Sequence, residues 1–244
     1  MPEAQQCRAC LTPTLSLPMG EKNGYGFIAC TQCGSVFTTP TVTQKDIDAL
    51  IADIQPEAVH DPRADAEIEY LNKLLSRIGG EGFTGKSFLD VSCNRGYAVK
   101  AARLAGFKDV HGIEQYEFLI RFAKKNYGDE YFSQISATDY AAAGHQADII
   151  FCKEAFSIHP DTEELAAALA KLLSPNGRIY IDEPDGNSFW LPHKFARWPF
   201  LEPPLNSVYL SLKGMKKVLT RHGLKVERKF FNMKPFMRLL VRKS

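Results

Sequence analysis

Four of the six cysteines fall in two matched pairs near the N-terminus. Cys7 and Cys10 belong to CRAC, Cys30 and Cys33 belong to CTQC, and residues 11 to 29 separate the pairs. A C-x2-C turn directs two thiolates at one tetrahedral ion, so this spacing predicts a Zn²⁺ site. Because sulfur would fill all four positions, we expect a structural ion that supplies on the order of 10 kcal/mol of folding free energy. A redox C-x-x-C pair is the alternative, and the matched spacing favours metal.

A second group of residues has the outline of a nucleotide-binding turn, in FLDVSCNRG at residues 88 to 96. An apolar run ends on Asp90, a helical pattern follows the loop, and Glu114 ends the next apolar run. A helix start offers unpaired N–H groups, and a carboxylate after the neighbouring strand can accept hydrogen bonds from both hydroxyls of a ribose. Ser92 and Asn94 stand where two glycines are usual, which argues against a pyrophosphate on the helix. The sequence therefore favours an adenosine-containing ligand without phosphates.

Residues 86 to 183 resemble the class I methyltransferases that use S-adenosylmethionine. DVSCNRG is similar to the family motif D-h-G-C-G-x-G, in which h is apolar, and GIEQ is similar to the family's acidic second-strand end. SPNGRIYIDEPD resembles the family's turn and fifth strand, and YLSLKGMKKVLTRHGLKV resembles its late helix and sixth strand. A cysteine ribbon ahead of such a domain resembles a subgroup that acts on small molecules, sugars included.

The resemblance implies roles for the residues of the opening loop. Asp90 would orient the loop and meet the methionine amino group through the backbone or water, and Gly96 would let the methionine moiety pass close by. Asn94 can stand in for glycine, since asparagine tolerates left-handed backbone angles. Ser92 can crowd the methionine tail and weaken cofactor affinity.

The resemblance also assigns the nucleoside half of the cofactor. Glu114 would bind the ribose, and Gln115 and Tyr116 would flank the adenine. Asp139, in SATDY, follows the third strand and matches the family's residue that accepts a hydrogen bond from the adenine amino group. The implied cofactor-binding set is Asp90, Ser92, Asn94, Gly96, Glu114, Gln115, Tyr116 and Asp139.

Candidate general bases follow the fourth and fifth strands. Methyl transfer is a direct displacement that requires alignment, and a hydroxyl or acidic C–H nucleophile also needs a base. Glu154 lies near the fourth strand's end, His159 just beyond it, and His193 in the loop after the fifth strand. Relatives often have a Glu-His pair where this chain has Ser157 and Ile158. Each candidate has an alternative role, in which it bonds a turn or faces water.

The elements that must position these residues alternate from residue 86 onward between apolar strands and amphipathic helices. This alternation predicts an α/β fold with a parallel sheet covered on both faces, and ligands bind beyond the carboxyl ends of such strands. The resemblance implies that this sheet is the Rossmann-like, seven-stranded sheet of the methyltransferases. We expect a zinc ribbon at 1–42, a helical connector at 43–85 and the S-adenosylmethionine-binding domain at 86–244.

The loop at 184–210 is too long and too aromatic for a simple connector. Its aromatic residues are Phe189, Trp190, Phe195, Trp198, Phe200 and Tyr209. Because it leaves the strand end where ligands bind, we predict a lid over the substrate. A flap packed on the sheet, or a contact in a homodimer, is the alternative.

Bulk properties restrict the function classes. The 244 residues carry 30 basic and 28 acidic side chains, a net charge of +2 that does not demand a polyanionic partner. No apolar run approaches the roughly 20 residues of a membrane span, and the N-terminus lacks a secretory pattern, so we expect a cytoplasmic protein.

Three functions remain in competition. The first is a methyltransferase that acts on a small molecule by O-, N- or C-methylation, the acceptor being a sugar or a secondary metabolite. The second is an RNA methyltransferase that grips its substrate with the ribbon. In the ribbon, however, Glu3 and Glu21 offset Arg8 and Lys22, a thin footprint for nucleic acid. The third is a non-catalytic module in which the ribbon mediates protein assembly.

Overall fold

The computed structural model describes residues 5–14, 16–52, 61–78 and 85–244. Two parts of the predicted helical connector, residues 53–60 and 79–84, lie outside the described residues, as do residues 1–4 and 15 of the predicted ribbon. The predicted domain boundaries at residues 42 and 85 stay predictions. None of the helices in the described part of the chain has the length and hydropathy of a membrane span.

The N-terminal third forms short strands and two helices. The strands are β1 (Gln5–Gln6), β2 (Pro13–Thr14), β3 (Ser16–Lys22), β4 (Tyr25–Cys30) and β5 (Val36–Thr39), and the helices are α1 (Gln44–Ala52) and α2 (Ala64–Ile78). Helix α2 carries the predicted apolar stripe, because Ile68, Leu71, Leu75 and Ile78 are all buried. The stripe packs on the main sheet beside the next helix, so this part of the connector is core.

From residue 87 onward, strands and helices alternate. The strands are β6 (Ser87–Val91), β7 (Asp109–Glu114), β8 (Phe132–Gln134), β9 (Ala147–Lys153), β10 (Leu173–Pro184), β11 (Val208–Tyr209), β12 (Leu224–Phe230) and β13 (Phe236–Lys243). The helices are α3 (Tyr97–Ala105), α4 (Glu117–Tyr127), α5 (Ala137–Ala142), α6 (Ala155–Ile158), α7 (Thr162–Leu172) and α8 (Leu212–Arg221), with 3₁₀ turns at Asp129–Tyr131 and Phe195–Arg197.

The main sheet has seven strands in the order β12-β13-β10-β9-β6-β7-β8. β6 to β10 pair in parallel, and β13 runs antiparallel to both of its neighbours. The parallel strand β9 is covered on both faces of the sheet, because Ile149, Ile150, Phe151 and Cys152 are all buried. The α/β fold and the seven-stranded sheet predicted from the sequence are confirmed.

Two local features differ from the sequence prediction. The short helices α5 and α6 were not predicted, because six and four residues are too few to show a helical period. SPNG was predicted as a turn, yet β10 already begins at Leu173, which pairs with Ala147 before the register shifts at Arg178. The turn is therefore an irregularity within one long strand.

A second sheet joins the ribbon to the C-terminal domain. It has the order β11-β5-β4-β3, so Val208 and Tyr209 extend a sheet that is otherwise built by residues 16–39. Phe195, Trp198 and Tyr209 of the aromatic loop are buried against Phe27 of β4. Phe189 is 91% exposed and Trp190 48% exposed. Much of the aromatic loop is thus the hydrophobic core under the ribbon sheet.

The ribbon also docks on the first turn of α8. Ser211 caps this helix and donates its hydroxyl to the Cys33 carbonyl, and its backbone N–H donates to Ser35 Oγ at 3.0 Å. Gly214 allows the approach, because a Cβ at this position would lie 2.1 Å from Ser35 Oγ and 3.2 Å from Ala9 Cβ. The close contact between α8 and the cysteine turns therefore requires glycine.

Gly214→Ala tests this docking. The added methyl group would lie only 2.1 Å from Ser35 Oγ, so the overpacking cost should reach the upper end of about 1–3 kcal/mol. After the roughly 1 kcal/mol that alanine gains in helix propensity, the free energy of unfolding should fall by about 1–2 kcal/mol. Urea unfolding measures the change, and Lys216→Ala on the exposed face of the same helix is the matched control. Equal stability of Gly214→Ala and wild type would show that the ribbon does not pack here.

Candidate active site

A cavity of about 610 Å³ opens at the carboxyl ends of β6, β7 and β9. Its walls are the loops after these strands, the start of α2 and residues 200–206 of the aromatic loop. This volume is typical of a small-molecule site, and the place is where parallel sheets bind ligands. A smaller cavity of about 30 Å³ adjoins it on the far side of Glu114.

The loop at residues 90–96 keeps the backbone of a glycine-rich turn, although Ser92 and Asn94 replace two of its usual glycines. Ser92, Asn94 and Gly96 have φ angles of 62°, 50° and 79°, all in the left-handed region. A non-glycine residue there costs on the order of 1 kcal/mol. A Cβ on Gly96 would lie 2.7 Å from the Phe132 ring, so packing requires glycine at this position. Both Ser92 and Asn94 line the large cavity, and Ser92 also lines the small one. Their placement beside the methionine portion of the cofactor stays a prediction.

Glu114 is 4% exposed and lies between the two cavities. Its Oε2 accepts the Asn94 backbone N–H at 3.0 Å, and its Oε1 accepts the Tyr116 backbone N–H at 3.2 Å. Burial raises the pKa of Glu114, and these N–H groups oppose the rise. Each carboxylate oxygen keeps a lone pair for another donor, which is what binding to a ribose diol needs.

Asp90 lines the large cavity beside Glu114. It is 4% exposed, and burial, together with the nearby charge of Glu114, raises the pKa of Asp90 well above its ordinary value. Lys153, at the end of β9, partly offsets this effect. The pair of carboxylates suits a ligand that brings positive charge or several hydrogen-bond donors.

The predicted adenine residues divide between the small cavity and the surface. Gln115 lines the small cavity and Tyr116 lines both cavities, and the Tyr116 hydroxyl accepts a hydrogen bond from Gln44 of α1 at 3.1 Å. Asp139 is exposed and accepts the Ser136 hydroxyl at 2.7 Å, outside both cavities. Ser136, which caps α5, lines the small cavity instead. The structure therefore does not bring Asp139 to Glu114.

The predicted bases occupy three different places. Glu154 lines the large cavity, whereas His159 lines the small one and its Nδ1 accepts the Asp161 N–H at 3.2 Å. His193 is exposed on the loop after β10. Burial lowers the pKa of His159, which favours its neutral form. Of the three candidates, Glu154 is the one on the large cavity.

Glu154 is held in a strained conformation by its neighbours. Its φ is 58°, its N–H donates to the Asp182 carbonyl at 2.9 Å, and its carbonyl accepts the Ser157 hydroxyl at 2.9 Å. The buried Glu183 carboxylate accepts the N–H groups of Phe156 and Ser157 and so fixes the start of α6. Burial raises the pKa of Glu154, the Lys153 charge opposes this rise, and neighbouring carboxylates add to it. Such strain is common where a side chain must be aimed at a ligand.

Several polar residues of the cavity were not predicted from the sequence, among them Asp61, Lys153 and Asn206. Asp61 accepts hydrogen bonds from Arg95 Nη1 and the Tyr97 hydroxyl, and the pKa of Asp61 is lowered to about 2 by the Arg63 N–H and the Tyr97 hydroxyl. Lys153 pairs with Glu67 of α2 at 3.1 Å. Asn206 lies deep in the aromatic loop. No motif marks these residues, because long-range packing alone brings them to the cavity.

The four cysteines of the predicted zinc site lie together. Their Sγ atoms are all within 4.8 Å of one another, and Cys7–Cys33 and Cys10–Cys30 are each 3.7 Å apart. A tetrahedral zinc with bonds of about 2.3 Å would have sulfur–sulfur edges of about 3.8 Å. The Cys10 N–H points at Cys7 Sγ, and the Cys33 N–H points at Cys30 Sγ. The donor set and its spacing fit a structural Zn²⁺.

The guanidinium of Arg8 supports the same fit. Its Nη1 and Nη2 are buried without a hydrogen-bond partner among the described residues. The guanidinium carbon Cζ lies 4.6 Å from the centroid of the Phe37 ring. Burial lowers the pKa of Arg8, and the nearby Asp161 charge opposes this effect. Four thiolates around one Zn²⁺ carry a net negative charge, so a loaded site next to Cys7 would add to the counter-charge that Asp161 supplies.

Comparisons with known proteins agree with this geometry. A family model described as "methyltransferase domain" matches residues 63–229. Ubiquinone biosynthesis O-methyltransferase of Neisseria meningitidis serogroup A is 30% identical over 108 residues, 42% of this chain and 45% of that protein. The protein of the same name from Thiobacillus denitrificans is 30% identical over 109 residues, 43% and 47% of the two chains. The match spans less than half the length of either relative.

Solved structures share the fold. Magnesium protoporphyrin IX methyltransferase from Synechocystis PCC 6803 with bound SAH aligns at a TM-score of 0.56 and 18% identity, over 84% of this chain and 96% of that one. An S-adenosylmethionine-dependent methyltransferase from Mesorhizobium loti aligns at a TM-score of 0.59 and 15% identity, over 74% and 100%. At this identity the likeness concerns the fold alone.

Arg8→Met tests the charge balance of the cysteine site. Loss of the adjacent cation should weaken Zn²⁺ binding by about tenfold or more, as is typical of residues that support metal ligands. Competition with a chromophoric chelator measures the Zn²⁺ affinity. Arg8→Lys keeps the positive charge and should lose less Zn²⁺ affinity than Arg8→Met. Equal affinity in wild type and Arg8→Met would contradict the counter-charge role.

Proposed function

The chain belongs to the methyltransferase domain family that uses S-adenosylmethionine, and from this premise we propose that it methylates a small molecule. The observation that carries the proposal is the buried Glu114 carboxylate, which has free lone pairs at the edge of a cavity of about 610 Å³. A cavity of this size encloses a nucleoside-sized cofactor and a small acceptor. The names of the curated relatives support an O-methyl acceptor of this kind.

Glu114 separates the proposed sites for the adenine and for the methionine portion of the cofactor. We place the ribose on Glu114, the adenine beside Gln115, Tyr116 and Ser136, and the methionine portion near Asp90 and the loop with Ser92, Asn94 and Gly96. The bound cofactor supplies a methyl group that is already activated on a sulfonium. Its positive charge is complemented by Asp90 and Glu114, both of which become more acidic when a cation or hydrogen-bond donors reach them.

Glu154 is the proposed general base. Its side chain lies on the large cavity, and its raised pKa suits it to take a proton from a hydroxyl near neutral pH. The strained backbone and the contacts of α6 hold the carboxylate in place, and alignment itself contributes several kcal/mol to such a displacement. His159 lies on the nucleoside side, where a role in binding the adenine fits better than proton transfer.

The ribbon is proposed to be a structural zinc module, and residues 184–210 to be the acceptor-side cover. Residues 200–206 line the large cavity, while Trp198 and Tyr209 anchor the same segment to the ribbon core. An RNA acceptor finds less support, because the Arg8 guanidinium is buried against Phe37 and cannot contact a phosphate.

Glu114→Ala tests the cofactor site. Loss of charge-assisted hydrogen bonds to the ribose should weaken S-adenosylhomocysteine binding by about 10- to 100-fold in calorimetry. Glu114→Gln keeps one acceptor oxygen, so its dissociation constant should lie between those of wild type and Glu114→Ala. Glu117→Ala, an exposed carboxylate on α4, is the matched control and should bind like wild type. An unchanged dissociation constant in Glu114→Ala would refute the assignment.

Glu154→Gln tests the base. The Glu154 carboxyl must be ionised to accept a proton. The wild-type rate should therefore rise with pH, with a transition above the ordinary pKa range of glutamate. The variant should lose this transition and about 10²–10⁴ in kcat, with little change in cofactor affinity. Transfer of a labelled methyl group to acceptors in a metabolite extract gives the readout. If His159→Ala removes the transition and Glu154→Gln keeps it, the base is His159.

A further inference from the structure

The wall of the large cavity formed by residues 200–206 is held in place from two sides. The Thr38 N–H of the ribbon donates to the Ser207 carbonyl at 3.1 Å, and the Ser207 N–H donates to the Ser157 carbonyl at 2.9 Å. The Tyr209 hydroxyl donates to the Asn206 carbonyl at 3.0 Å. This part of the wall therefore has a fixed position relative to the start of α6 and to Glu154.

The Asn206 side chain has one orientation in this network. It is 5% exposed, and its amide lies 3.3 Å from Ser157 Oγ. Because the Ser157 hydroxyl already donates to the Glu154 carbonyl, Ser157 Oγ can only accept, so the Asn206 NH₂ must face it. No hydrogen bond to the amide oxygen Oδ1 is formed within the described part of the chain, and Asn206 lines the large cavity. Because the NH₂ group faces Ser157, Oδ1 is the polar atom of this side chain that a donor on a bound molecule can reach from the cavity.

The polar groups around Asn206 are mostly acceptors. Glu154 and Glu202 line the same cavity, and the charge of Glu202 helps to raise the pKa of Glu154. The cations that line the cavity are already paired with carboxylates: Lys153 with Glu67 at 3.1 Å, and Arg63 and Arg95 with Asp61. A molecule with O–H or N–H groups would satisfy these acceptors, whereas an anionic molecule would be repelled.

We propose that Asn206 binds the methyl acceptor: its Oδ1 accepts a hydrogen bond from an O–H or N–H group of that molecule, beside Glu154, and so selects neutral or cationic acceptors over anionic ones. The assignment rests on the proposed function, because the acceptor is defined by the methyl donor that it meets. Ser157 positions the amide, and the ribbon, through Thr38 and Ser207, positions the wall that carries it.

Sinefungin provides the test without knowledge of the natural acceptor. In this cofactor analogue, a carbon with a primary amine replaces the methylated sulfur, so its N–H groups project to where an acceptor would lie. Calorimetry should show that wild type binds sinefungin at least about tenfold more tightly than S-adenosylhomocysteine. In Asn206→Leu, this ratio should fall about fivefold or more, because Glu154 and Glu202 remain as acceptors, while the affinity for S-adenosylhomocysteine stays within about threefold.

Two further variants complete the test. Asn206→Asp places a carboxylate at the same point and should raise the ratio, which keeps the proposal testable if the leucine variant fails to fold. Asn126→Leu, on the exposed face of α4, is the matched control and should keep both affinities. An unchanged ratio in Asn206→Leu, or an unchanged or lower ratio in Asn206→Asp, would overturn the role of Asn206. Absence of S-adenosylhomocysteine binding in wild type would overturn the proposed function and this assignment with it.

Discussion

The carboxylate of Glu114 is the contact on which the cofactor side of the site depends. A carboxylate that is 4% exposed is costly to ionise unless donors surround it, and the N–H groups of Asn94 and Tyr116 meet that need. These two bonds tie the loop after β6 to the loop after β7. They help the first loop keep left-handed angles at Ser92 and Asn94, although neither is glycine. The same carboxylate then remains available to a diol.

The acceptor side depends on a different centre, the buried hydroxyl of Ser157. Through its backbone and hydroxyl, Ser157 contacts Glu183, Glu154, Asn206 and Ser207. Ser207 leads on to Thr38 in the ribbon sheet, and the Cys33 carbonyl contacts the Ser211 cap of α8. The ribbon is therefore part of the scaffold of the acceptor wall. Folding energy from a metal at the cysteines would stabilise that wall as well as the ribbon itself.

The sequence predicted the features that follow from local pattern. Alternating strands and helices gave the seven-stranded sheet, cysteine spacing gave the thiol cluster, and an acid at a strand end gave Glu114. Features that depend on long-range packing escaped prediction. Ser136 rather than Asp139 reaches the small cavity, because α5 begins at once after β8 and turns Asp139 outward. β11 is two residues long and exists only because β5 offers it an edge.

A crystal structure of the protein with S-adenosylhomocysteine would show whether Glu114 binds the ribose. We expect both ribose hydroxyls within hydrogen-bond distance of the Glu114 carboxylate, the adenine beside Ser136, and the sulfur facing the wall that carries Glu154 and Asn206. A ligand bound elsewhere, or a cavity at β6 and β7 that stays empty at saturating ligand, would contradict this assignment.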